Sequence, residues 1–451
     1  MDNLSGLYAP ASQPIALLRQ HWLSNIMHQA MSPSHDSLIR LARALPQGNA
    51  RFLDDRGVPF TIMPHLNGEM GTKVTYAISD VKIGAPNFEI DAKRETLGTP
   101  VQFGHGTVEI FYLDDAGMTV GTGAAVQQDN LRRIDAAQRM NAEWHRQLLD
   151  EIIRIPFYGR RGTGGGFQCF PEPEIGSGVL GKAGSTVEQP EAVKAFWRGE
   201  NVLRGPEDRN IIYAGGTHDD ENDLNGSAYL TAKDISNAGA AISTRTSARN
   251  EFAMPRIRPP QGMEGIKTFG NCQIDYLLFI GPEAAQNLKL DDTGDGFTYG
   301  GFHKQVAASG QPSASMFFSN WMGNVNNIGI IVEPTKWPVH KTTSDQNVQY
   351  GVISGADTVR VAAGVQPWED LSKQARDHGF QPMSAGMNKF GAMWQTKTST
   401  PNEGMSQKFF CHAFLGTKQN ILVHPKTREE MHHGWFAIAY NVNSVRTDGE
   451  F

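Results

Sequence analysis

Ile134, Ala137, Trp144, Leu148, Ile152 and Ile155 follow one another at intervals of three, four and seven, and no proline interrupts before Pro156. That spacing predicts a single amphipathic helix over residues 126–155. Arg132, Arg133, Glu143, Arg146 and Glu151 fill its other faces. About 30 residues at 1.5 Å each give a rod of about 45 Å. Helices in globular proteins average ~11–12 residues, so the rest of the chain has to organise itself along this rod.

The segments before the helix read differently. Lys73-Val74-Thr75-Tyr76-Ala77-Ile78 and Thr107-Val108-Glu109-Ile110-Phe111-Tyr112-Leu113 alternate with period two, as half-buried strands do. Between them, Gly84 to Gly106 is rich in glycine, proline and charge. This predicts an extended hairpin, with Asp115-Ala116-Gly117 as the turn after its second strand. A lone hairpin is marginal in water and needs a partner surface. Further upstream, residues 1–14 are polar and hold Pro10 and Pro14, as in a loose arm. Ile15 to Met31 carries Leu18, Trp22, Ile26 and Ala30 at helical spacing, and a second short helix is expected through Leu38, Ile39, Leu41, Ala42 and Leu45, ending before Pro46.

After the helix, residues 159–190 form a glycine-rich loop that begins Gly159-Arg160-Arg161-Gly162. A short strand is expected at Asn210–Ala214 and a helix at Thr231–Arg245, with Thr231 as cap and Asp234 in the capping-box position. Residues 255–265 read as a linker. Gln273–Ile280 is an apolar strand stopped by Gly281-Pro282, and Glu283–Leu288 begins a helix. Ile328–Val332, residues 352–362 and Trp435–Val442 read as further strand regions. The fold class is α+β. The 451 residues suffice for two or three structural regions. The 72 glycines and prolines (48 and 24) exceed the usual ~12% of a chain, which implies long loops.

Chemistry is harder to find. Gly176-Ser177-Gly178-Val179-Leu180-Gly181-Lys182 fits the spacing of a phosphate-cradling loop. The next residue, which should hold magnesium, is Ala183. Pro171 and Pro173 stand where a strand should precede, and Gly184 and Pro190 stand where a helix should follow. Asp291–Phe302 and Glu221–Gly226 resemble calcium loops without the closing glutamate, the ligand that contributes most. His432-His433 are adjacent and cannot share a helix face as i, i+4 ligands do. No H-E-x-x-H or G-x-S-x-G occurs. Asp219-Asp220 and Glu429-Glu430 read as solvated surface. Arg132-Arg133 and Arg160-Arg161 are small for a nucleic-acid patch, and the net charge of −6 with a pI of about 6.2 shows no basic stripe. Cys169, Cys272 and Cys411 lack disulfide or zinc spacing and read as structural thiols. No apolar stretch reaches 18 residues, and residues 1–30 lack the features of a signal peptide. The expectation is therefore a protein that is neither exported nor membrane-embedded by its own sequence, with no catalytic, cofactor-binding or metal-binding residues.

What the chain offers instead is architecture, and its order is similar to that of the major capsid proteins of tailed bacteriophages with the Hong Kong 97-type fold, in particular the capsid family of N-four-like podoviruses. The resemblance spans roughly residues 60–340. It rests on Gly71 before the strand Lys73–Ile78, on Leu97-Gly98 in the loop, and on Gln127-Gln128-Asp129-Asn130-Leu131 leading into the helix. Trp144, Leu148, Leu149 and Phe157-Tyr158-Gly159 lead out of it, followed by Tyr276 to Leu288 and by Trp321 through Gly323 to Glu333. The acidic residues that the family places around Leu97-Gly98 are missing here.

The resemblance implies an N-terminal arm at 1–58, an extended loop (β-hairpin) at 59–122 and a peripheral domain at 123–264 with the spine helix at 126–155. An axial domain would follow at 265–410, with a return to the peripheral domain at 411–451. It further implies a structural protein without enzymatic activity, made and assembled in the host cytoplasm and located in the virion. Its partners would be copies of itself in pentamers and hexamers, with scaffold, portal and cement or decoration proteins as further candidates. Double-stranded DNA would be packaged without sequence recognition. Glycine-rich segments at 159–166 and 294–301 are expected as hinges between quasi-equivalent positions. The competing readings are another virion structural protein, or a soluble nucleotide-binding enzyme using loop 176–182.

Overall fold

The computed structural model describes residues 42–44, 59–63, 73–79, 103–109, 111–114, 118–120, 140, 144, 147–148, 150–162, 167, 169–170, 195–196, 201, 210–216, 218–244, 254–257, 275–289, 321–333, 337–364, 381–382, 395–399, 407–423, 428 and 430–442. The strands β1 (Ala42–Ala44), β2 (Phe60–Met63), β3 (Lys73–Ser79), β4 (Phe103–Glu109), β5 (Phe111–Asp114) and β6 (Met118–Val120) precede the long helix, whose end, α1, is described over residues 150–158. There follow β7 (Ile211–Tyr213), α2 (Ala232–Thr244), β8 (Tyr276–Ile280), α3 (Pro282–Lys289), β9 (Trp321–Val325), β10 (Ile328–Val332), β11 (His340–Lys341), β12 (Asn347–Ser354) and β13 (Val359–Gly364). The last strands are β14 (Gln381–Pro382), β15 (Gln395–Ser399), β16 (Gln407–Gln419), β17 (Ile421–Val423), β18 (Glu430–His432) and β19 (Trp435–Asn441).

A seven-stranded sheet, ordered β7-β19-β12-β8-β10-β9 with β11 beside β12, forms the centre. Both of its faces are covered, so β8, β10 and most of β19 read as continuous apolar runs without polar alternation. All five residues of β8 and all seven of β19 are buried. Period two then divides each strand between two cores. Trp435, Ala437 and Ala439 face a core shared with Ile152, Ile155 and Phe157 of the long helix. Phe436, Ile438 and Tyr440 face a core shared with Ile235, Ala238 and Ile242 of α2 and Ala284 and Leu288 of α3. Each fully buried side chain of the Leu, Ile or Phe type contributes about 1.5–3 kcal/mol. Helix α2 starts as its sequence predicts: the Thr231 amide donates to Asp234 Oδ2 at 3.0 Å, and the Asp234 amide donates to Thr231 Oγ1 at 3.3 Å.

The end of the long helix corrects the sequence reading. Pro156 does not stop it, and the helix continues through Phe157 and Tyr158, both fully buried. A proline in the last turn removes one backbone bond, and burial of two large rings outweighs that loss. Gly159 is the actual stop. Its amide reaches the Ile155 carbonyl at 2.8 Å, and its φ of 100° lies in the region glycine enters without a steric penalty. Gly162, at φ 73°, packs so closely that a Cβ would strike the Val339 backbone. Residues 159–162 are a packed turn and not the start of a loose hinge. The remainder of both expected hinges, most of the helix before residue 150 and the expected helix at 15–31 lie outside the described residues.

An eight-stranded sheet, ordered β1-β2-β13-β16-β15-β14 with β5 and β6 also paired to β16, lies beside the first. Here the second short helix expected through Leu38–Leu45 is corrected. Ala42–Ala44 is a strand, held parallel to β2 with Ala42 opposite Phe60, and tertiary pairing overrides the helix propensity of Ala-Arg-Ala. The 59–122 segment is also less uniform than expected, because β2, β5 and β6 belong to this sheet. The strand expected across 107–113 is divided: β4 ends at Glu109 in the hairpin, and β5 begins at Phe111 against β16. The boundaries placed at 265 and 411 do not separate the sheets, since β7, β8, β12 and β19 share one of them. The hairpin itself forms as predicted, with β3 and β4 antiparallel over seven register pairs from Lys73↔Glu109 to Ser79↔Phe103. It extends a four-stranded sheet ordered β18-β17-β4-β3.

Candidate functional site

Three of the short links that carry the chain from one sheet to another meet at one place. Residues 355–358 lead from β12 in the central sheet into β13 of the eight-stranded sheet. Asn420 alone leads from β16 into β17 of the hairpin sheet, and His433-Gly434 leads from β18 back to β19 in the central sheet. The links are bonded to one another. The Gly355 amide donates to the Gly434 carbonyl at 2.7 Å, the Asn420 amide to the Thr358 carbonyl at 2.9 Å, and the His433 amide to the Asn420 carbonyl at 2.8 Å. The Thr358 hydroxyl adds a bond to the Gly434 carbonyl at 2.7 Å. Gly434 has φ 76°, and a Cβ there would lie 2.5 Å from the Ala356 oxygen.

Asp357, Arg360, Asn420 and Tyr76 fill the centre of this junction. Arg360 is fully buried, and a buried charge needs a partner with good geometry. It has one: Nε lies 3.1 Å from each Asp357 oxygen, and Nη2 lies 2.5 Å from Oδ2. Asn420 Nδ2 donates to Asp357 Oδ2 at 2.9 Å and to its carbonyl at 3.0 Å. Asn420 Oδ1 accepts from the Tyr76 hydroxyl at 2.7 Å. The guanidinium carbon of Arg360 stands 3.5 Å from the Tyr76 ring centre, a cation–π contact in a desolvated place. Burial pushes the Tyr76 phenol well above its ordinary range, with Arg360 acting against the shift and Asp357 adding to it.

Tyr76 is the hairpin's contribution. It lies opposite Gly106 in the β3–β4 register, and a Cβ at Gly106 would come within 2.5 Å of the Tyr76 hydroxyl oxygen. The glycine is what lets the ring lie flat across the neighbouring strand. Gly104, Gly106 and Val108 are buried while His105 is exposed, so one face of β4 is turned to the body. Against that, β4 makes a single register pair with β17, Val423↔His105.

A second anchor sits at the helix end. The last carbonyls of a helix have no intrahelical donor. The Phe157 carbonyl accepts from Trp435 Nε1 at 2.9 Å and Gln419 Nε2 at 3.1 Å, one donor from the central sheet and one from the eight-stranded sheet. The Phe157 ring packs edge-on to Phe60 and Phe279 at 5.2 and 5.1 Å. The Tyr158 hydroxyl accepts from the Tyr350 amide at 3.0 Å. Glu151 receives the amides of Cys169 and Phe170, both at 3.0 Å, and Arg154 pairs with Asp150 one helical turn away. Burial, followed by Glu151 and Asp150, pushes the Cys169 thiol well up, which suits a structural thiol and not a nucleophile.

The motifs singled out in the sequence do not converge on a reaction centre among the described residues. Glu221 starts a short 3-10 helix, and its carboxylate lies 2.9 Å from His340 Nε2 and 3.8 Å from Arg160. Asn225 Oδ1 accepts from the Ser227 amide at 3.0 Å, an Asx turn. His432 and His433 are buried, and His432 stacks on Trp435 at 4.9 Å. Arg161 is buried, so the Arg160-Arg161 pair presents even less charge to a nucleic acid than its sequence suggests. Among the described residues no group of three His, Cys, Asp or Glu is placed to hold a metal ion, and no helix is long and apolar enough to cross a membrane. Loop 176–182, Asp291–Phe302, Arg132-Arg133, Cys272 and Glu429 lie outside the described residues. Sequence reasoning missed the junction, and the one local signal for it is the Gly-His-Gly alternation at 104–106 opposite a tyrosine strand.

No family model and no curated protein matches this chain. Solved structures do. The capsid of Ralstonia phage GP4 superposes with a TM-score of 0.60 at 15% identity, covering 91% of this chain and 92% of that one. The head structure of Helicobacter pylori bacteriophage KHP40 gives 0.54 at 11% identity, over 91% and 93% of the two chains. The capsid of cyanophage Pam1 gives 0.52 at 12% identity, with the same coverage. The α+β capsid fold of Hong Kong 97 type expected from the sequence is the fold of this chain.

Proposed function

We propose that this chain, which has the phage capsid fold, is the major capsid protein of a tailed bacteriophage. In this reading it assembles with copies of itself, as pentamers and hexamers, into an icosahedral shell around double-stranded DNA. The observation that carries the proposal is near-complete coverage in both directions, 91% of this chain and 92% of the Ralstonia phage capsid subunit.

The parts then take roles. The central sheet with α2 and α3 forms the axial domain, the eight-stranded sheet belongs to the peripheral domain, and the long helix joins the two, its end packed against the central sheet. The β3–β4 hairpin begins the extended loop that lies across a neighbour, and the part of residues 1–58 that precedes β1 forms the arm. A hairpin with an open strand edge invites pairing, and many weak contacts per subunit make a closed shell stable. Scaffold, portal and cement or decoration proteins are the further partners, the virion is the location, and host cytoplasm is the place of synthesis. The protein works by assembly and not by catalysis. Negative-stain electron microscopy of the chain expressed alone tests this. Uniform shells, tubes or curved sheets are expected; a monodisperse small particle at every concentration would count against the proposal.

A further inference from the structure

We infer that Tyr76 is a latch, and that the hairpin has a second state in which β3 and β4 have left the three-sheet junction while the rest of the chain stays folded. The reason is an imbalance of contacts. Within the hairpin, seven register pairs tie β3 to β4. Between the hairpin and the body, the ladder shrinks to one pair, Val423↔His105. The other described polar contact of β3 with the body is Tyr76, whose hydroxyl reaches Asn420 at 2.7 Å and whose ring lies 3.5 Å under Arg360.

Release does not strand a buried charge. Arg360 keeps its bidentate partner Asp357, and Asn420 keeps its bonds to Asp357 and to Thr358. The ion pair of the receiving pocket thus survives without the tyrosine, while Asn420 Oδ1 and the Arg360 face against the ring turn to the water that the departing hairpin admits. The covalent continuation through β5 into the eight-stranded sheet fixes one end of the hairpin and lets the other swing. A segment held by one ladder pair, one tyrosine and the buried face of β4 at Gly104, Gly106 and Val108 opens sub-globally at less cost than the whole fold.

The inference concerns the same hairpin that the proposed function uses in assembly, and the test is made on the unassembled full-length subunit so that the two can fail separately. Amide exchange followed by mass spectrometry is compared between the peptides holding residues 73–79 and 103–109 and those holding β12 and β19. In Tyr76→Phe, which keeps the ring and loses the bond to Asn420, hairpin exchange is expected to rise about ten-fold while β12 and β19 stay unchanged. In Gly106→Ala, where the new methyl group occupies the ring's place, the rise should be about thirty-fold or more. Hairpin exchange equal to the parent in Tyr76→Phe would overturn the latch. So would a rise shared by β12 and β19 in the same proportion, since the hairpin would then be part of one cooperative core. If Tyr76→Phe shows the ten-fold rise while the parent chain forms no shells under the microscope, the capsid proposal falls and the latch stands.

Discussion

The central sheet and the hairpin sheet are built from the same kinds of strand and held by opposite means. In the central sheet, β19 lies between β7 and β12, with seven register pairs to β12, and buries both of its faces. Its stability is spread over many apolar side chains, and no single one defines its position. In the hairpin sheet, position depends on a tyrosine, a glycine opposite it and an amide–carboxylate–guanidinium cluster. A distributed contact yields gradually to substitution. A localised one is present or absent, and only the second kind can serve as a joint.

The most drastic way to separate the two regions is to delete residues 85–100. The subunit should keep its circular dichroism and melting temperature, and shells should be absent by electron microscopy. Normal shells from that deletion would end the bridging role. Alkaline pH comes next. Burial raises the phenols of Tyr76, Tyr158 and Tyr440 above the ordinary value of 10.0, so the folded state holds protons that the unfolded chain releases. Stability is therefore complete below pH 10 and falls as pH rises past it, by about 1.4 kcal/mol per pH unit for each phenol. Phenolate absorbance should show Tyr76 ionising first, through local opening, and Tyr158 and Tyr440 only with global unfolding. Simultaneous ionisation of all three would erase the distinction between the regions.

Phe279→Ala attacks the distributed side. The ring contacts both Phe157 and Phe60, and its loss should cost about 3–5 kcal/mol in urea unfolding, with hairpin and core destabilised together. The smallest effect is expected from Thr231→Ala, which removes the cap of α2 and should cost about 1 kcal/mol. A cost near zero would mean that packing of Ile235 and Ile242 alone places that helix.

Local signals were legible and long-range ones were not. Ile328–Val332 is a strand over the span its apolar run marks, and Thr231 and Asp234 form the capping box their spacing announces. Both depend on residues within a few positions of each other. Ala42–Ala44 reads as helix because its pairing partner, Phe60 onward, lies outside any local window. The junction is the extreme case. Tyr76 and Asn420 are 344 positions apart, and nothing near Asp357 or Asn420 tells a buried ion-pair cluster from an ordinary turn. Pro156 misled because a proline's effect depends on how much burial follows it, which composition does not disclose.

The place of β19 in the central sheet also sets a clock. The strand that both β7 and β12 require is Trp435–Asn441, so a nascent chain still lacking those residues cannot close its main sheet. Contacts this distant in sequence form late. The junction above it, which needs Gly434, Asn420 and Asp357 together, waits for the same event. During synthesis the hairpin strands emerge early, but the surface that receives them appears only when translation of this region is nearly finished. A ribosome-bound fragment therefore has no finished docking face to offer, and truncated products should be excluded from assembly by timing as much as by shape.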